Sequence, residues 1–164
     1  MGTRSNICVY NEEKEEVIQS YCSYDSYYTN SGIMLQKHYN SAELAKQLVE
    51  LGHISSIRPN LNPDPQFPHT DEQKQENVVF SFLRDYNSNS HMTWDAKPVL
   101  KENVKSIFDI ELNESYIYIY LIPKFGSELK EGWYAKRFSY KKPYETKLKP
   151  LSVIVKQAQN YDPK

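Results

Sequence analysis

The chain has 164 residues, 39% of them hydrophobic and 25% charged. This suffices to remove roughly 70% of the unfolded surface from water and hold one core, and it excludes a disordered chain. The net charge of −1 hides an asymmetry: Lys124 to Lys164 carries 10 Lys and Arg against 4 Asp and Glu, leaving 10 against 17 before it. No apolar run approaches the ~20 residues of a membrane span, and the N-terminus has no basic segment followed by an apolar stretch, so the expectation is a protein that stays in the cytoplasm where it is made.

In chain order, Asn6 to Tyr10 and Val17 to Tyr24 are β-branched and aromatic runs on either side of the charged turn 11–16, which predicts an antiparallel hairpin. Ile33, Met34, Leu35 and His38 begin a helical pattern. Ser41 then caps a second helix carrying Leu44, Ala45, Leu48, Val49 and Leu51, and Gly52 ends it. Residues 58–76 hold Pro59, Pro63, Pro65 and Pro68 among polar side chains, which predicts a long connection of the kind that serves as a lid or binding loop.

Val78 to Leu83 reads as a buried strand and 103–110 as a short helix. The next strand, Tyr116 to Ile122, places its isoleucines on one face and Tyr116, Tyr118 and Tyr120 on the other. Trp133 to Phe138 is its hairpin partner. After a connection from Pro143 to Pro150, Leu151 to Val155 reads as a last strand. The order lacks the regular strand–helix alternation of a parallel doubly wound sheet. It predicts one α+β domain over residues 1–164, a mainly antiparallel sheet of about six strands with two or three helices packed on it.

Cys8 and Cys22 fall in the two hairpin strands and are expected to be thiols in a reducing cytosol. None of the four histidines stands at a ligand spacing from either cysteine, so no metal is expected. No Gly-rich phosphate loop, nucleophile elbow or basic helix occurs, and no cofactor is expected.

The segments Met1-Gly2-Thr3-Arg4-Ser5, Tyr21-Cys22-Ser23-Tyr24-Asp25-Ser26-Tyr27, His38-Tyr39 and Leu51-Gly52-His53-Ile54-Ser55-Ser56-Ile57 carry a resemblance. Together with a looser match at Phe82 to Asp85, Tyr116 to Tyr120 and Gly132-Trp133-Tyr134, they are similar to small proteins encoded by tailed bacteriophages. Those proteins open with M-G-T-R-S and continue with Y-C-H-W-D-G-Y. Ser23, Tyr24 and Ser26 stand where that motif has its histidine, tryptophan and glycine. The resemblance implies a phage accessory protein acting in the host cytoplasm, countering host defence or redirecting host physiology.

The candidate ligand-binding residues are Arg4, Tyr24, Asp25, Tyr27, His38 and Tyr39. Arg4 offers a planar fork for phosphate or carboxylate, or else pairs with Asp25 or Asp85. Asp25 contacts a ligand hydroxyl or simply shapes a turn. His38 stands toward the edge of its helix's apolar stripe, as a base or as a hydrogen-bonded structural residue. The 14 tyrosines supply rigid stacking area, or else pack beneath helices. Three roles follow: a non-catalytic binder of a host protein or nucleotide-like molecule, a small enzyme acting on a phosphorylated or nucleotide substrate through Asp25 and His38, and a nucleic-acid binder using the basic part 124–164 with Trp133, Tyr134, Phe138 and Tyr140.

Overall fold

A computed structural model describes residues 3–86, 96–138 and 147–161. Met1, Gly2, His91, Tyr140 and the start of the connection at Pro143 lie outside the described residues. The strands are β1 (Ser5–Asn11), β2 (Glu16–Cys22), β3 (Val99–Lys101), β4 (Tyr116–Ile122), β5 (Gly132–Arg137) and β6 (Lys149–Pro150). The helices are α1 (Ile33–His38), α2 (Ala42–Glu50), α3 (Phe82–Asp85) and α4 (Leu151–Tyr161), with a π turn at Tyr28–Gly32 and a 3-10 turn at Ile107–Asp109.

The strands form one sheet in the order β3-β2-β1-β4-β5-β6. Every neighbouring pair is antiparallel except β1 and β4, which run parallel at the centre, so the α+β class and the six strands stand and the sheet is mixed. No helix among the described residues is long and apolar enough to cross a membrane.

Side-chain alternation in β1 and β4 divides the core between the two faces of the sheet. Ile7, Val9, Tyr118, Tyr120 and Trp133 pack beneath Leu35, Tyr39, Leu48, Val49 and Leu151 of the helical layer. Cys8, Tyr10, Ile117, Ile119 and Tyr134 face a cover made of the connection that carries Ile107 and Ile110. Tyr118 and Tyr120 therefore pack beneath helices, each with its hydroxyl committed: one donates to the Ser26 carbonyl at 2.5 Å, the other to the Glu131 carboxylate at 2.7 Å. Trp133 and Tyr134 are buried as well, which removes two of the four aromatics proposed to stack on nucleic acid.

Two expected strands are not strands. Leu151 to Val155 opens α4, because Leu151, Ile154 and Val155 recur at three- and four-residue spacing and all three are buried against the helix-covered face. The β-branched run Val153-Ile154-Val155 would suit a strand, but tertiary packing decides, and Pro150 directly before the helix is compatible with its start. Val78 to Leu83 makes only isolated bridges at Val78 and Ser81 before α3 begins at Phe82. Ser81 starts that helix by accepting from the Arg84 amide at 3.1 Å.

The helix at 103–110 shrinks to the 3-10 turn, and the edge strand β3 has no counterpart in the sequence reading. Ser41 and Gly52 act as read: the Ser41 side chain accepts from the Leu44 amide, and Gly52 has φ +77° just past α2. Both cysteines are free and buried. Cys8 pairs with Gln19 and Cys22 with Ser5, which puts the two thiols on opposite faces of the hairpin and out of bonding reach.

Candidate functional site

The hairpin strands diverge in use at the end where β1 begins and β2 finishes. β3 covers only Val17 to Gln19 of β2. Beyond it, residues 53–56 lie alongside: the Ile54 amide donates to the Tyr21 carbonyl at 2.8 Å, the Ser23 amide to Ile54 at 3.1 Å and the Tyr24 amide to Ser55 at 2.8 Å. A third segment completes this small ladder, through Ser55 to Phe80 and Phe82 to His53. In the antiparallel register Ser5 faces Cys22, so Arg4 and Ser23 occupy the next opposed positions and Asn6 faces Tyr21.

The ladder assembles Arg4, Tyr21, Ser23, His53 and Phe82. Ser23 Oγ and His53 Nε2 are 2.5 Å apart. The imidazole is held from two sides, by Tyr21 edge-on at 4.7 Å between ring centroids and by Phe82 at 4.3 Å. Burial, and next the charge of Arg4, hold the His53 pKa below its ordinary 6.5, so the ring is neutral at pH 7. Nε2 then accepts the Ser23 hydroxyl proton when its hydrogen sits on Nδ1.

The Arg4 guanidinium also stands at the Tyr21 hydroxyl, whose pKa burial and Glu114 raise and Arg4 opposes. Arg4 is exposed, and among the described residues no carboxylate forms an ion pair with it. Asn6 Oδ1, buried on the strand opposite Tyr21, has no hydrogen-bond partner among the described residues.

Asp25 lies elsewhere. It adopts φ +59°, a conformation that Asp tolerates in turns, and its carboxylate takes the Ser56 hydroxyl at 3.2 Å and Arg58 at 3.8 Å, not Arg4. Its carbonyl accepts from Asn30 and Ser31, which locks the turn. Asp85, the other partner considered for Arg4, is engaged with Arg84.

The loop between them is tied beside the start of β1, with the Ser26 amide donating to Thr3 and its hydroxyl accepting from Ser5 at 2.8 Å. Tyr24 and Tyr27 project from this loop, 51% and 42% exposed. Tyr39 is in the core, 1% exposed, with its hydroxyl given to the Arg58 carbonyl and its own carbonyl accepting from the Trp133 indole at 2.9 Å. Both its ring and its hydroxyl are engaged within the core. His38 is the last residue of α1, and no hydrogen bond or ion pair among the described residues joins it to Asp25.

Of the six candidates, Arg4, Tyr24 and Tyr27 thus share one rim of the sheet, Asp25 shapes the loop that carries the tyrosines, and His38 and Tyr39 belong to the helical layer. Sequence reasoning missed Ser23 and His53 as partners, because a bridge between residues 30 apart is made by the 53–56 ladder and leaves no local pattern. Among the described residues no group of three or more His, Cys, Asp or Glu could hold a metal ion. The chain matches no protein-family profile, no curated protein and no solved structure.

Proposed function

We propose that this protein is a phage-encoded accessory protein that binds a nucleotide-like, phosphate-bearing small molecule in the host cytoplasm, countering host defence or redirecting host physiology. The observation that carries the reading is Arg4, an exposed guanidinium with no described carboxylate partner, set beside the neutral ring of His53 and the hydroxyls of Tyr21 and Ser23. A guanidinium fork suits phosphate oxygens, and the Tyr21 hydroxyl beside it supplies a further donor. Tyr24 and Tyr27 on the adjoining loop offer aromatic faces with enough exposed area to stack on a base. The N-terminal resemblance to phage proteins supplies the setting.

Isothermal titration with ATP, GTP and cyclic nucleotides tests it. Saturable binding is expected that weakens as salt rises, and Arg4→Gln should weaken it most. If no nucleotide binds even at millimolar concentration, the reading fails.

A further inference from the structure

The Ser23–His53 contact has the arrangement in which a hydroxyl is activated for attack. Its donor and acceptor are in hydrogen-bond contact at 2.5 Å, both residues are partly open to solvent, and the ring is fixed by Tyr21 and Phe82 so that Nε2 stays aimed at Oγ. Arg4, at the hydroxyl of the Tyr21 that packs on His53, brings a cation to the same cluster, where it can stabilise charge on a transferring group. The backbone on both sides is anchored, Ser23 to Ile54 and His53 to the Ala96 carbonyl at 2.7 Å, so the geometry does not depend on side-chain packing alone.

We propose that Ser23 is a nucleophile and His53 its general base, and that the pair accepts a phosphoryl group from a phosphate ester or anhydride seated at Arg4. The proposal rests on the preceding reading for the seat of the phosphate and goes beyond it in assigning a covalent step. The Ser23 Oγ–P bond forms as the bond from phosphorus to the leaving oxygen breaks. The hydroxyl proton passes to His53 Nε2 and from there to the leaving oxygen. The products are phosphoserine at position 23 and a free alcohol or phosphate, and no oxidant or reductant is involved. Neutrality of His53 near pH 7 keeps the base in its proton-accepting form.

The test incubates the full chain with p-nitrophenyl phosphate, following p-nitrophenolate by absorbance and the modified position by tandem mass spectrometry. Wild type should release p-nitrophenolate and carry phosphate on Ser23. Ser23→Ala should abolish both, and His53→Gln should slow them by about a hundredfold, the scale of a lost general base. The rate should climb as pH rises through the depressed His53 pKa, below 6.5, and then level off. A purely structural hydrogen bond would produce no such profile.

Unlabelled wild type, or phosphate mapped to another residue, overturns the proposal, and because the mapping is done on wild type it does not depend on any variant folding. Nucleotide binding without labelling would remove the covalent step and leave the binding reading. Labelling at Ser23 without nucleotide binding would keep the nucleophile and remove the nucleotide.

Discussion

His53 precedes the proline-rich connection and His69 lies within it, and their ring nitrogens meet different groups. His69 is buried, with Nδ1 accepting the Gln75 amide at 2.9 Å and Nε2 3.0 Å from the Val79 carbonyl and 3.4 Å from the Asp85 carboxylate. Both ring nitrogens are thus engaged within the fold, one by a backbone amide and the other at a backbone carbonyl. Asp85 is satisfied by the Ser81 amide at 2.9 Å and by two bonds from Arg84, at 2.7 and 2.8 Å. Arg84 also reaches the Leu61 and Val79 carbonyls. Every polar atom of the His69 ring is spent on holding the connection to α3. His53, by contrast, offers Nε2 to a side-chain hydroxyl at a partly open surface, beside a cation. A histidine's role follows from what its ring nitrogens meet, and in this chain only the fold reveals that.

Several changes would break or sharpen this contrast. Gly52→Ala should have the largest effect, and it acts on the His53 side: an added Cβ would lie 1.9 Å from the Ala96 carbonyl oxygen at a residue with φ +77°. Strain and overlap together should cost about 3 kcal/mol or more in urea unfolding, and nucleotide binding should be lost as the His53 anchor to Ala96 shifts. Asp85→Ala acts on the His69 side. It strands a buried amide and frees Arg84, whose side chain is 28% exposed and so partly rehydrates, for a loss of about 3 kcal/mol with nucleotide binding retained by the folded fraction.

Smaller effects should separate the two histidines by pH. The folded-state pKa of His53 is depressed, so the unfolded chain binds its proton first. Its contribution to stability is intact above 6.5 and is lost as pH falls from there through the folded pKa. Thermal unfolding between pH 7 and pH 5 should show a slope that His53→Gln reduces, and an unchanged slope would contradict the burial of the ring. Smallest for stability is Arg4→Gln, expected within about 0.5 kcal/mol of wild type because the side chain is exposed. Its effect should fall on nucleotide affinity, by about tenfold or more.

The legible parts of the sequence were those whose signals are local. The hairpin, the Ser41-to-Gly52 helix and the alternation of Tyr116 to Ile122 were readable because each depends on neighbours within a few residues. Arg4, Tyr24 and Tyr27 are legible only as polar or aromatic residues close to strand ends. The terminal run Leu151 to Val155 was misread because a short β-branched segment suits strand and helix alike until the surface it packs on is known. The burial of Tyr39 is not legible locally, because nothing in sequence distinguishes a tyrosine facing solvent from one whose hydroxyl serves the Arg58 carbonyl.

By itself the sequence determined the α+β class, the strands β1, β2, β4 and β5 and the capped α2, because hydrophobic period and capping residues act over short range. The tertiary structure alone decided that β1 and β4 pair in parallel, that Cys8 and Cys22 face away from each other, and that Asp25 turns to Arg58 rather than Arg4. It also decided that Ser23 meets His53. Each of these depends on which distant segments the sheet and its side ladder bring within hydrogen-bond reach, and such contacts are selected by packing and backbone pairing over the whole chain.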